Sequence, residues 1–187
     1  MTTLKPNLEK LSDQRHALLF GIRRSARYHL RRRGFFELWH ATTNFIGIAS
    51  GSAAVVAVVK DFPTVAASLA VLVALASAFD LVIGTAEMAR KHSDLAKRFI
   101  LLEKEIELAG DLTEVNLQVH TAKRLEIESD EPPILRTLDR ICHNELCRAM
   151  GEPPESYKQI PWLEKRLAQV ISFDPPYPQG SNGKNRD

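Results

Sequence analysis

The sequence predicts an all-α membrane protein: a two-helix transmembrane hairpin, with a basic amphipathic helix before it and a cytoplasmic helical bundle after it. Three observations carry that expectation. Residues 41–59 are nineteen positions without a formal charge, and residues 62–79 are eighteen more. Only Lys60 and Asp61 separate the two runs, so the helices must be antiparallel neighbours. Finally, the charges crowd into the flanks, with seven arginines and no acid between Arg15 and Arg33.

A helix rises about 1.5 Å per residue, so each run with a turn of flank crosses a hydrocarbon core of roughly 30 Å. Soluble helices of this length carry a charged face, and these carry none. A buried hairpin in a soluble core is the competing reading, but the rest of the chain has too little apolar sequence to wrap one. The 187 residues are 44% hydrophobic, an ordinary soluble average that conceals an apolar centre and charged ends. A net charge of +2 says little about partners. Cys142 and Cys147 suit a reducing compartment rather than a disulfide framework. No cleavable signal is legible, so the first span is expected to double as the insertion signal.

Residues 1–34 read as the basic helix, with Leu8, Leu11, Leu18, Leu19, Ile22 and Ala26 on its apolar face. Arg23, Arg24, Arg27, Arg31, Arg32 and Arg33 are expected at the membrane surface, held by anionic headgroups at about 1 kcal/mol each. Nucleic acid is the other partner for such a cluster, and its place beside a span argues against it. Arg90, Lys91, Lys97, Arg98 and Lys104 form a second positive flank, so both termini are expected in the cytoplasm.

Residues 35–86 are the hairpin. Pro63 suits the first turn of the second helix. With no breaker before Gly110, that helix is expected to continue through residues 87–109, with Leu95, Phe99, Leu102, Ile106 and Ala109 as a bundle seam. Asp111 and Glu114 suggest a capping box for a helix over residues 112–128. After Pro132-Pro133 a helix to Met150 turns Ile134, Leu138 and Ile141 inward, and Gly151 closes it. A short last helix over residues 161–172 carries Trp162, Leu163 and Leu167, ending a cytoplasmic region of residues 87–172. The Pro- and Gly-rich residues 173–187 read as a disordered tail. No strand pattern or internal repeat is visible.

Function is sought among the polar groups of the spans. Asp80 lies nineteen residues after Asp61, and Asn44 and His40 lie seventeen and twenty-one before it, so all three share one depth. An acid costs roughly 2.5–3.5 kcal/mol at mid-bilayer and less near the interface, so Asp80 must face protein or water. His40 or Asn44 is its natural partner. At 100° per residue His40, Asn44, Gly47 and Gly51 fall on one face, and Ala66, Ala70, Ser77, Asp80 and Gly84 on another. Gly47, Gly51, Ala66, Ala70 and Gly84 are the expected close-packing positions. Two outcomes stay open: the faces zip one hairpin together, or several hairpins assemble and His40, Asn44, Ser77 and Asp80 line a path.

Other constellations fail. Cys142 and Cys147 are about 140° apart on a helix, which is no metal-ligand geometry beside His143. There is no phosphate loop, zinc helix motif or nucleophile elbow, so no enzyme, metal or cofactor is expected. His29 and His92 flank the membrane, facing headgroups or each other.

The basic helix with Tyr28-His29 and Arg32, then Phe36, two small-residue-rich spans with a minimal loop, and Ala86, His92, Leu95, Phe99, Leu102 and Ile106 together resemble the SLATT family of two-transmembrane effector domains of bacterial anti-phage and conflict systems. The resemblance covers about residues 20–110. It implies a multi-pass protein of the bacterial inner membrane, a homo-oligomer that opens a pore once a companion sensor or nucleotide-signal enzyme reports infection. The alternative of another class is a non-conducting scaffold whose cytoplasmic helices dock a partner protein. A transporter half built on Asp80 is a third.

Overall fold

A computed structural model describes residues 4–52, 61–110 and 113–173. Every regular element among them is helical. Residues 53–59 of the expected first span, with Lys60, Asp111, Leu112 and the tail from residue 174, lie outside the described residues. The chain divides into two compact units, Met1–Asp130 and Glu131–Asp187.

The first unit begins with α1, Leu4–Ser50, a single helix of 47 residues and about 70 Å. The boundary read between basic helix and span, at residues 34 and 35, falls inside this continuous helix. Gly34 alone costs about 1 kcal/mol against alanine, too little to interrupt a helix with strong formers on both sides. Residues 41–50 of the expected first span are the end of this helix.

Next comes α2, Pro63–Ile83, with Pro63 in its first turn. Its mean hydropathy is 2.3, none of it is buried, and it is the one described helix long and apolar enough to cross a membrane. The expectation that it runs unbroken to Gly110 is corrected at Gly84, which adopts φ 64°, ψ 51°. A residue with Cβ meets its own carbonyl in that left-handed region, so the sequence places glycine there. Gly84 is therefore a helix break rather than the expected packing residue. Its N–H closes α2 on the Asp80 carbonyl, and α3, Thr85–Leu108, starts at once.

Antiparallel to α1, α3 packs along its charged half. Leu18, Leu19, Ile22 and Ala26 of α1 meet Leu95, Phe99, Leu102 and Ile106 of α3, with Leu117 and Ile127 of α4, Glu114–Ser129, closing the core. The α3 spacing of three and four is the seam expected from sequence, although Ala109 is exposed. Leu8 at 65% exposure lies outside the core. Thr113, not Asp111, caps α4: its hydroxyl accepts from the Asn116 N–H. A threonine oxygen at that position satisfies one of the four orphan amides of the first turn.

The second unit holds α5, Arg136–Met150, a 3-10 turn at Pro154–Ser156, and α6, Trp162–Leu167. Leu138, Ile141, Cys142, Leu146 and Cys147 are buried, whereas Ile134, expected inward, is exposed. Trp162 and Leu163 are exposed too, and the last helix is shorter than the expected 161–172. Gly151 ends α5 at φ 73°, its N–H and that of Glu152 taking the last free carbonyls.

Candidate functional site

Where α1 meets the foot of α2, four side chains form one hydrogen-bonded chain. His40 and Asn44 sit four residues apart on one face of α1. Asn44 Nδ2 lies 3.0 Å from His40 Nε2, and His40 Nδ1 lies 3.1 Å from Asp80 Oδ2. The other Asp80 oxygen accepts from the Thr85 hydroxyl. A neutral imidazole protonated at Nδ1 satisfies the whole set: it donates to the carboxylate and accepts from the amide.

Thr85 reaches Asp80 only because of Gly84. In an unbroken helix a residue five positions on projects about 140° away; the left-handed turn swings it back over the carboxylate. The sequence reading missed Thr85, and the signal was a glycine inside an otherwise unbroken apolar helix. The cluster is not sealed, since the Asp80 side chain is 17% exposed and that of His40 is 41%. Trp39 packs on Phe79 beside it at 5.0 Å between centroids.

The other expected intramembrane positions do not join it. Ser77 is exposed, three residues before Asp80. A Cβ at Gly47 would meet nothing within 4 Å, and one at Gly51 would meet only the carbonyls of its own helix among the described residues. Ala70 is exposed and Ala66 half-buried. Among the described residues, no neighbouring helix comes within 4 Å of a Cβ built at Gly47 or Gly51.

One turn and more below, a column of rings runs through the interface of α1 and α3. Arg32 lies over the Phe36 ring at 4.5 Å. Phe36 stacks on His92 at 5.7 Å, and His29 stacks on Phe99 at 5.7 Å. Between them His29 Nδ1 and His92 Nδ1 are 2.8 Å apart, in hydrogen-bond contact. Tyr28 sets its edge against both imidazoles. All five aromatic side chains are buried, the histidines completely. Burial, then His29, Arg32 and Lys91, push His92 down to about 3. It is therefore neutral at physiological pH, and a single proton lies between the two facing nitrogens. Burial also lowers Arg32. Of the two outcomes left open for His29 and His92, the facing pair is the one present.

The arginines expected at the membrane surface divide. Arg23 donates to Glu103 at 2.7 Å and to Glu107 at 3.0 Å, and Arg15 joins Glu107 at 3.0 Å. Arg24 and Arg27 are half-buried, and Arg32 lies on the column. Arg33 pairs with Glu37 at 2.8 Å, and Arg31 is exposed. The acids that take Arg15 and Arg23 come from α3, eighty or more residues on, where sequence spacing gives no warning of them.

In the second unit Cys142 and Cys147 are buried and form no disulfide, and burial raises the Cys147 thiol. No group of three metal-ligating side chains occurs among the described residues. Comparisons with protein-family models, with curated proteins and with solved structures found no match.

Proposed function

We propose that this chain is the subunit of a homo-oligomeric membrane effector that opens a pore when triggered. The observation that carries the reading is Asp80: a carboxylate in an otherwise uncharged helix, held by His40 and Thr85 yet still reached by solvent. Around it, Leu69, Leu72, Leu75, Leu81 and Val82 of α2 are all exposed, a surface that suits lipid and disfavours water. An acid at such a place marks an ion or water path. One or two spans cannot enclose that path, so several copies are required, and the open Gly47–Gly51 face suits close helix contact between them.

In this reading residues 41–59 complete a second span, both termini are cytoplasmic in a bacterial inner membrane, and the α1–α3 bundle holds the gate from below. The resemblance to SLATT effector domains supports it, because the column residues Tyr28, His29, Arg32, Phe36, His92 and Phe99 are those that carry the resemblance. A companion sensor or nucleotide-signal protein would supply the trigger.

Induced expression with a potential-sensitive dye tests it. The wild-type chain depolarises the membrane and Asp80→Ala does not; equal depolarisation by both removes Asp80 from the path. A second reading, a non-conducting scaffold, is favoured by the exposed Trp162 and Leu163 of the second unit, which offer a docking surface. Stable oligomers with unchanged potential select it.

A further inference from the structure

We propose that the crevice between α1 and α3 at the foot of the span is a phosphate-binding site, occupied by the headgroup of an anionic phospholipid. This rests on α2 lying in a bilayer, as proposed above. The crevice has a volume of about 340 Å³, and Arg33, His40, Arg90 and Ser93 supply its polar lining. Ala86 and Ala89 line it too and leave room for a bulky anion.

The two arginines are differently prepared. Arg33 is oriented by its bond to Glu37, which occupies one edge of the guanidinium and leaves further N–H donors free to turn to a ligand. Arg90 is exposed and makes no hydrogen bond or ion pair with another described residue. Glu37 pairs with Arg33 and Asp80 with His40, so Arg90 is the lining cation left to meet an anion. A guanidinium fork matches phosphate geometry bidentately, and a serine hydroxyl completes such a set.

Position selects the source of the phosphate. His40 lines the crevice and is bonded to Asp80, which stands in the last turn of the apolar helix. The opening therefore lies at the depth of lipid phosphates, beside an exposed apolar surface that acyl chains would cover. A free phosphate offers the same chemistry without those chains.

Brominated lipids test this with Trp39 as reporter, in a Trp162→Phe background. The protein is reconstituted in phosphatidylcholine vesicles carrying either brominated phosphatidylglycerol or brominated phosphatidylcholine at equal mole fraction. Quenching by the anionic lipid should be several-fold stronger. Arg33→Gln and Arg90→Gln should each reduce that preference about fivefold, and Arg166→Gln, in the second unit, should leave it. Equal quenching by both lipids, or an equal loss in Arg166→Gln, overturns the site while leaving α2 in the bilayer. Quenching by neither removes the membrane reading itself. Loss of the preference on adding millimolar inorganic phosphate at matched ionic strength overturns the lipid as occupant.

Discussion

His29 Nδ1 and His92 Nδ1 face each other at 2.8 Å inside the α1–α3 interface. That distance admits one proton between them. A second would set two cations side by side in a buried column already flanked by Arg32.

Acid should therefore destabilise the first unit. In the unfolded chain His92 takes up a proton near 6.5, whereas in the fold it does so only near 3. Between those values the unfolded state binds more protons, so stability falls as pH falls, by about 1.4 kcal/mol per unit. Thermal melting between pH 4 and pH 7.5 should show this limb, and His92→Phe should flatten it. A wild-type midpoint that stays level below pH 6 contradicts the neutral pair.

At Gly84, alanine disfavours the left-handed turn by about 1–2 kcal/mol, which favours a continuous helix through the junction. Gly84→Ala should lower the melting temperature and, by straightening the chain, separate Thr85 from Asp80. Hydrogen exchange at the α2–α3 junction reads the second effect: slower exchange through residues 83–86 is the expected sign of a continuous helix.

Thr85→Val keeps the shape and removes one donor to Asp80. Asp80 is partly exposed, so water replaces the lost donor in part and the cost is about 0.5–1.5 kcal/mol. The expected outcome is a lower melting temperature with unchanged helicity by circular dichroism, and an altered potential response in the dye assay.

At Gly21 the Arg124 guanidinium of α4 lies against α1, in the space a Cβ would fill. Gly21→Leu should displace the Arg124 guanidinium from Glu128 and loosen α4, seen as faster proteolysis within residues 113–130. Arg124→Ala should relieve the clash and restore much of the protection in the double variant.

The helical class and the α1–α3 seam were legible because apolar spacing reports a buried face directly. Leu95, Phe99, Leu102 and Ile106 are where that spacing put them. Depth counting outward from Asp61 placed His40, Asn44 and Asp80 together, since helical rise is fixed by the backbone. The Gly84 break was not legible: a lone glycine in a helix is commonly tolerated, and only its φ distinguishes a cap from a filler. Thr85 was hidden by the same omission. The partners of Arg23 were not legible because Glu103 and Glu107 are distant in sequence, and an arginine run looks alike whether acids or headgroups neutralise it.

The most direct test of Asp80 as part of a conducting path is current across a planar bilayer containing the purified protein. The account predicts discrete conductance steps from the wild-type chain, and their loss in Asp80→Ala with membrane insertion preserved. A chain that inserts and assembles yet carries no current, or one that stays monomeric in water without detergent, contradicts it.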